Sequence, residues 1–447
     1  MRGTSNAVGR VVPRRGVAAL VLGGLILSAC GNTEPAADRG DDPPSADGAA
    51  DATVTVDAPG VTDTEIRVGG VASVTNPLGA KFGDAFDGVD AYFQMINEEG
   101  GIHGRELNLV ARRDDQLANN DAQVRGLLEQ DDVFAVLPVV SPLFTGADAL
   151  VEAGMPTFGR VIDPAWEGSD GAPRENLFGT NGSFLCFDCP RPPYPYLASE
   201  IGAQRVGLLA YNVPQSANCA TGVERSFERY AESGSAEVLF SDKSLAYGTT
   251  DLSVQVAQMR DADVDLVIAC MDLQGVVTLA REMNRQSVDA VQYVLDGYDH
   301  ELLSEFEDLF QGAYVETFFV PFEVEDPPGA LETYLEWMDR TGAEASENTL
   351  NGWLGAALFV EGLRQAGPDF SQQKVIDAIN QMTDWDAGGI LHGVNWTYRH
   401  TQPERHVCAV FSRVEGDEFV PEFGEQGDPF VCLDREADGI PEGIPSD

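Results

Sequence analysis

Basic side chains are scarce in this sequence of 447 residues, which carries 28 Lys and Arg against 73 Asp and Glu and has a formal net charge of -45 at pH 7. A surface this acidic cannot displace counterions from nucleic-acid phosphates, and it is repelled by anionic lipid. The composition therefore argues against DNA or RNA partners and against electrostatic membrane binding. Apolar residues make up 43% of the chain, which is enough to bury a core and argues against disorder.

Long apolar runs are also missing. The most apolar stretch, Val17–Leu27, is too short to span a bilayer, for which about 20 apolar residues are needed. Arginines but no acids precede it, which is typical of a secretory signal peptide, here residues 1–29. The stretch ends in Leu27–Cys30 (LSAC), which resembles the bacterial lipobox, so we expect an acylated Cys30 to anchor the protein. The alternative is an ordinary signal peptide followed by a chance cysteine.

Residues 30–60 contain mostly Pro, Gly, Ala and Asp and almost no bulky side chain. Such a composition predicts a flexible, acidic tether, with the folded part beginning near Val61. We therefore expect an exported protein that is held by lipid on the outer face of the cell membrane.

Six cysteines follow Cys30, and an even number in an exported protein favours disulfides. The first two have the CxxC spacing that redox enzymes place at the start of a helix. Four prolines follow within six residues, so we expect no helix directly after this pair and interpret it as a structural staple. The connectivity stays open, but order along the chain favours the pairs Cys186–Cys189, Cys219–Cys270 and Cys408–Cys432.

Histidine is rare as well, with five residues in the chain and none within zinc-ligand spacing of a cysteine pair. The sequence also contains no G-x-S-x-G, HExxH or phosphate-loop motif. We therefore expect no metal, no cofactor and no catalytic residues, and we predict that the protein is not an enzyme.

From Thr64 onward, short β-branched runs alternate with helical stretches in two successive series. This pattern predicts an α/β fold with two doubly wound parallel-sheet lobes. Three consecutive helices and a β-rich tail follow; we expect the helices to return to the first lobe and the tail to the second, which makes a multi-strand hinge. The predicted segments are 61–182 and 319–390 for the first lobe, and 183–318 and 391–447 for the second lobe and the C-terminus.

Two segments carry a resemblance to a known family. They are Gly60–Gly69 (GVTDTEIRVG) and Asn97–Arg105 (NEEGGIHGR), followed by the double acid Asp114-Asp115. In the second segment two glycines permit the left-handed turn between a helix and the next strand. The chain resembles the type 1 periplasmic binding proteins, specifically the leucine/isoleucine/valine-binding group of ABC importers, from about Val61 to Pro421.

The resemblance implies a ligand site between loops of the two lobes. The loop Thr75–Gly79 would form one wall, the Ser141 hydroxyl would bind the ligand carboxylate, and the backbone of Gly159–Val161 would add contacts. An acid of the second lobe would hold the ligand ammonium, and the choice among the acids there stays open. The implied ligand-binding residues are Thr75, Asn76, Ser141, Gly159, Val161, Tyr211, Asp272, Asp296, Tyr298 and Asp299.

Two residues depart from the family pattern. Pro142 follows Ser141 where members more often carry a small hydroxyl residue, and Arg160 lies among the expected backbone contacts. Arg160 could bind an anionic ligand in a bidentate manner. We favour the alternative that its side chain is solvated.

The resemblance implies a solute-binding lipoprotein of an ABC transporter. It would be a monomer that closes on a small polar ligand (a branched-chain or other amino acid, an amide or a urea-like molecule) and presents it to the permease subunits. The alternative is a surface receptor domain that uses the same fold to sense a ligand. The sequence does not separate the two, because both need only the cleft.

Overall fold

A computed structural model describes residues 54–167, 172–230, 236–295, 297–425 and 427–439. The signal peptide, Cys30 and most of the predicted tether lie outside the described residues, and so does Asp296. Within the described ranges, no helix combines the length and the apolar character needed to cross a membrane.

The first sheet has five parallel strands in the order β2-β1-β3-β4-β5. Their bounds are β1 Glu65–Ala72, β2 Glu106–Asp114, β3 Ala135–Val140, β4 Thr157–Gly159 and β5 Leu177–Gly179. Helices α1 Ala85–Glu98, α2 Asn120–Gln130 and α3 Ala147–Glu152 connect them. All six residues of β3 are buried, as expected for a central strand that is covered on both faces.

The second sheet contains the parallel strands β6 Arg205–Tyr211, β7 Glu237–Leu245, β8 Leu266–Cys270, β9 Val291–Val294 and β10 Tyr314–Thr317. The tail adds the antiparallel strands β11 His406–Glu415, β12 Glu418–Glu422 and β13 Val431–Asp434, which pair through β11 with β10. The helices of this part are α4 Pro193–Glu200, α5 Pro214–Tyr230, α6 Ser253–Asp261, α7 Leu273–Gln286 and α8 His300–Phe310. The predicted α/β fold with parallel-sheet lobes is confirmed, with an antiparallel extension on the second sheet.

Three further helices, α9 Gly329–Thr341, α10 Glu347–Ala366 and α11 Gln372–Ile379, follow the second sheet in sequence. Helix α10 nevertheless packs on α1, and its Phe359 contacts the ring of Phe158 in β4 at 5.5 Å between centroids. Its start is defined by a capping box, in which Ser346 accepts from the Thr349 N–H and the Thr349 side chain bonds back to the Ser346 N–H. We call the first sheet with α1–α3 and α9–α11 the first lobe, and the second sheet with α4–α8 the second lobe.

Helices α1 and α10 approach each other through glycine. A Cβ on Gly352 of α10 would lie 1.9 Å from the carbonyl oxygen of Ala85 in α1. In the reverse direction, a Cβ on Gly88 of α1 would lie 1.9 Å from the carbonyl oxygen of Thr349. Only residues without a side chain permit this backbone contact.

Three chain segments connect the lobes, near residues 180–192, 318–328 and 390–405. Phe319 bridges Leu391, and the Val320 N–H donates to the Ile390 carbonyl at 2.9 Å, so the second and third connectors run side by side. The first connector joins them, because the N–H groups of residues 183 and 184 both donate to the Arg399 carbonyl, at 3.2 and 3.0 Å. The segment boundaries given above stay a prediction.

The prediction that no helix directly follows the CxxC pair is confirmed, because residues 190–192 lie between Cys189 and the next helix. Helix α4 begins at Pro193, with Pro192 at its N-cap position. Proline is tolerated there, because the first N–H groups of a helix have no partner within the helix. The six cysteines form the favoured pairs, Cys186–Cys189, Cys219–Cys270 and Cys408–Cys432.

The contact between α1 and α10 generates a prediction. Substitution Gly352→Ala forces a methyl group into a backbone oxygen, so we expect it to lower the free energy of unfolding by about 2–3 kcal/mol. On the same helix, Gly355→Ala places its Cβ 3.6 Å from the Phe158 side chain, an ordinary contact. This control should be neutral or stabilising by up to about 1 kcal/mol, since alanine favours the helix. Urea denaturation of both variants measures the difference, and equal effects would contradict the contact.

Candidate functional site

The loops that follow the carboxyl ends of the strands in the two lobes face each other. A Cβ on Gly79, in the loop after β1, would lie 3.3 Å from Nε2 of Gln274 at the start of α7. Lys81, at the end of the same loop, places its Nζ 2.5 Å from a carboxylate oxygen of Glu301 in α8. Ligands of open parallel sheets bind outside the carboxyl ends of the strands, so the space between these loops is the candidate site.

The loop Thr75–Gly79 is shaped by its own polar groups. The Asn76 amide donates to the carbonyls of Ser73 at 2.7 Å and Ala80 at 2.9 Å, and its oxygen accepts from the Leu78 N–H at 2.9 Å. The Thr75 N–H donates to Asp114 at 3.1 Å. Asn76 therefore holds the loop in place, and contact of Thr75 or Asn76 with a ligand stays a prediction.

Ser141 lies in a buried polar network. Its hydroxyl donates to Asp115 at 2.5 Å, and the same carboxylate accepts from Ser73 at 2.6 Å and Asn120 at 3.0 Å. Asp115 itself is fully buried. The Ser141 hydroxyl proton is thus already used in the hydrogen bond to Asp115. A ligand carboxylate could be bound here only by other atoms of this segment.

The segment Gly159–Val161 contradicts one expectation. Arg160 is not solvated: its side chain is 13% exposed and donates to Glu347 at 2.8 Å and to Asn348 at 3.1 Å at the start of α10. The physical reason is that α10 returns to the first lobe and brings an acid next to the guanidinium.

A Cβ on Gly159 would lie 2.0 Å from the Val139 carbonyl oxygen, so this glycine is required by strand pairing. The half-buried Val161 side chain packs close to Gly179 of β5.

In the second lobe, the structure brings together Tyr211, Tyr247 and Asp272, which we call the tyrosine–aspartate cluster. The two tyrosine rings meet edge to face with their centroids 5.1 Å apart. The Tyr211 hydroxyl lies 3.4 Å from the Asp272 carboxylate, which also accepts from the Gly275 N–H at 2.8 Å and so caps α7. Burial, together with Asp272, raises the pKa of Tyr211 and raises that of Tyr247 to about 12, so both hydroxyls stay protonated donors.

Tyr298 and Asp299 follow β9 but contact different surroundings. The Tyr298 hydroxyl donates to Glu323 at 2.6 Å and accepts from the Phe322 N–H at 2.7 Å. The ring is 3% exposed, so Tyr298 ties the second connector to this loop. The Asp299 carbonyl accepts from the Leu303 N–H at 3.0 Å inside α8. A ligand contact of either residue stays a prediction.

Sequence reasoning missed two residues at this site. Tyr247, in the loop after β7, is 48% exposed beside Asp272. Lys81 joins the lobes through Glu301 and also bonds Glu344 of the first lobe at 3.3 Å, and hydrogen bonding to Glu301 raises its pKa. Both residues follow the carboxyl end of a strand, and this position in the sequence could have identified them as candidate site residues.

Apolar side chains are also exposed around the site. Four of the large exposed hydrophobic residues lie in the segments that follow strand carboxyl ends, in the loops after β1, β3, β7 and β10. They are Val74, Leu143, Tyr247 and Phe318. The strand ends next to the candidate site therefore carry exposed apolar side chains as well as a carboxylate and two phenols, and the Phe318 ring also packs on the Arg191 guanidinium at 5.4 Å.

Metal-ligand geometry occurs twice within the part of the chain that the structure describes. The groups are His392 with Cys408 and Cys432, and Asp188 with Cys186 and Cys189. All four cysteines are in disulfides, and a disulfide sulfur is not the thiolate that binds a metal. Neither group is a thiolate metal site in the oxidised protein.

A family model described as periplasmic binding protein matches residues 65–417, so the chain belongs to this family. Members of the family are extracytoplasmic; they bind small molecules for ABC permeases and have no catalytic activity. The chain is accordingly a substrate-binding protein of the ABC transporter type. A comparison with curated protein sequences gives no match.

Solved structures share the fold at low identity. The branched-chain amino acid transporter substrate-binding protein LivJ from Streptococcus pneumoniae, in complex with isoleucine, is 18% identical with a TM-score of 0.65, over 80% of this chain and 98% of that one. A fatty acid ABC transporter substrate-binding protein from Thermomonospora curvata is 18% identical with a TM-score of 0.64, over 87% and 97%. A solute-binding protein from R. palustris in complex with benzoate is 14% identical with a TM-score of 0.62, over 84% and 99%.

The contact of Lys81 with both lobes generates a prediction. Exposed ion pairs are worth about 0.2–1 kcal/mol each, so we expect Lys81→Met to shift the lobes toward a more open arrangement by a factor of about two to five. High salt should have part of the same effect on the unaltered protein. Energy transfer between dyes on the two lobes measures the shift.

The matched control is Lys374→Met, which removes an ion pair of 2.6 Å with Asp369 within the first lobe. It should leave the distance between the lobes unchanged. An equal response of the two variants would show that Lys81 has no special role between the lobes.

Proposed function

We propose that this protein captures an α-amino acid with an apolar side chain between its lobes and delivers it to an ABC permease. The observation that carries the proposal is the tyrosine–aspartate cluster at the carboxyl ends of β6, β7 and β8. The proposal includes a lipid anchor at Cys30, a monomeric state and closure about the three connectors.

The cluster suits an ammonium group. A carboxylate forms charge-assisted hydrogen bonds to ammonium, and tyrosine ring faces attract cations. Asp272 supplies the carboxylate, and Tyr247, which is 48% exposed, supplies a ring beside it, whereas Tyr211 is 2% exposed and contacts Asp272 through its hydroxyl. Because the phenols stay protonated, the cluster carries a single negative charge, which matches one ammonium.

The rim suits an apolar side chain on the ligand. Val74 and Leu143 of the first lobe and Phe318 at the end of β10 are 38–48% exposed. Exposed apolar area next to a binding cleft gains free energy of about 25 cal/mol per Å² when a ligand covers it. A ligand that is polar throughout would leave this gain unused.

A carboxylic acid without an amine fits less well. The two cations that follow β1 and β4, Lys81 and Arg160, already pair with acids of the protein. A fatty acid or benzoate would have to displace one of these acids from its partner. An amino acid brings its own positive charge, and its contacts to both lobes would stabilise the closed arrangement.

The test is Asp272→Asn. Asparagine caps a helix as well as aspartate does, so the midpoint of thermal unfolding without ligand should not change. Loss of a charged hydrogen bond is worth about 1.5–3 kcal/mol, so the affinity for isoleucine, leucine or valine should fall by about 10- to 100-fold in calorimetric titrations.

The control is Asp386→Asn, which alters a carboxylate that accepts from the Gly388 N–H at 2.9 Å in the loop after α11. Its affinity should equal that of the unaltered protein. Benzoate, decanoate, acetamide and urea complete the panel. Binding of one of these four without any amino acid binding would overturn the proposal, and so would an unchanged affinity of Asp272→Asn.

A further inference from the structure

The three disulfides differ in what they join. One joins α5 to β8 and another joins β11 to β13, with sequence separations of 51 and 24. The third, Cys186–Cys189, has a separation of 3 and lies within one loop of the first connector. Packed helices and strands keep two thiols side by side after reduction, so their disulfide re-forms readily. A single loop lets the two thiols move apart, which makes this pair the easiest of the three to keep reduced.

The loop pair is also the most accessible of the three. Cys186 and Cys189 are both half-buried, and so are the other residues of segment 184–191. Each of the other two disulfides contains a buried cysteine, Cys270 at 6% exposure and Cys432 at 3%. Thiol–disulfide exchange requires a thiolate to approach a disulfide sulfur, so partial exposure favours attack at the loop pair.

A carboxylate lies against this disulfide. The Oδ1 atom of Asp188 is 3.4 Å from the Sγ atom of Cys186. Arg225 of α5 holds it there by donating to the Asp188 carboxylate at 2.6 Å and to its carbonyl at 2.8 Å. A disulfide sulfur carries no proton, so in the oxidised protein this oxygen and this sulfur face each other without a hydrogen bond.

Reduction supplies the missing proton. The thiol of Cys186 can donate to the Asp188 carboxylate, and this hydrogen bond exists only in the reduced form. An interaction that is present in one of two states shifts the equilibrium toward that state. Asp188 therefore favours the reduced form of the pair.

The disulfide lies where the first connector is attached to the second lobe. Before it, the first connector is bonded to the third. After it, the Arg191 N–H donates to the Ser226 hydroxyl oxygen of α5 at 2.7 Å. A Cβ on Gly222 of α5 would lie 2.3 Å from the Phe187 carbonyl oxygen, so the loop rests directly on this helix. Opening the disulfide would let the loop leave α5.

We propose that Cys186–Cys189 is a redox site, which a dithiol of an extracytoplasmic oxidoreductase reduces, and that its reduction loosens the first connector. A thiolate of the dithiol attacks one sulfur, and the other sulfur leaves and takes up the proton that the attacking thiol released. The second thiol then attacks the mixed disulfide in the same way. Two electrons and two protons pass to the pair, and the reductant becomes a disulfide. The expected structural staple is then a reversible one, whatever ligand the cleft binds.

Graded reduction of the full-length protein tests the proposal. The folded protein is equilibrated with increasing dithiothreitol, free thiols are alkylated, and the labelled peptides are identified by mass spectrometry. Half-reduction of Cys186–Cys189 should need at least about tenfold less dithiothreitol than half-reduction of either other disulfide. Reduction of all three at the same concentration, or of this pair last, would overturn the proposal.

Substitution Asp188→Asn tests the carboxylate. Asparagine keeps the shape, accepts a weaker hydrogen bond and can donate to the disulfide sulfur, so half-reduction should need about three- to tenfold more dithiothreitol. The matched control is Asp148→Asn in the first lobe, because Asp148 and Asp188 each pair with an arginine at 2.6 Å. This control should leave the reduction of the loop pair unchanged. Equal responses to the two substitutions would overturn the role assigned to Asp188.

Hydrogen exchange measures the effect on the connector. Two samples represent the reduced state, the selectively reduced protein and the double variant Cys186→Ser, Cys189→Ser. In both, the amides of segment 184–191 should exchange at least about tenfold faster than in the oxidised protein, whereas the amides of β13 should keep their rates. Unchanged exchange in segment 184–191 would overturn the proposed loosening of the connector.

Discussion

The backbone contact between α1 and α10 is the constraint on which the two-lobed structure depends. Gly88 and Gly352 let the helices meet without intervening side chains, so α10 is held on the first lobe although it follows the second lobe in sequence. A helix that returns in this way forces the chain to cross between the lobes again on either side of it. The three connectors follow from this packing, and the proposed closure of the lobes depends on them.

The packing of α10 on the first lobe also determines which charged side chains in the cleft are paired. Helix α10 begins with Glu347, which pairs with Arg160, while Glu344 just before it lies near Lys81. The chain has 28 basic and 73 acidic residues, and in such pairs the basic side chains are bound to acids of the protein and not to an anionic ligand. What the second lobe presents is one carboxylate, Asp272, between two phenols. Because acids of the chain pair with the cations near the cleft and Asp272 remains, the acidic composition is consistent with the inferred preference for an ammonium group.

Local sequence patterns predict most of the helices and strands, but not the elements that lack a periodic spacing of apolar residues. The β-branched residues of segment 65–71 predict a strand, and the structure has β1 at Glu65–Ala72. The apolar spacing that predicts helix α5 begins only at Ala220, whereas the helix begins at Pro214, because its first turns are polar and carry no apolar stripe. Strand β10 was not predicted, because its four residues acquire their partners from β9 and β11.

The sequence alone determined the alternation of strands and helices, the family motif and the loops in which a ligand site had to lie, because each depends on residues close together in the chain. Only the tertiary structure decided which polar groups in those loops are engaged. Ser141 is engaged by Asp115 and Arg160 by Glu347, across separations of 26 and 187 residues. Hydrogen bonds at such separations leave no periodic signal in the sequence, so burial and pairing could be read only from the folded chain.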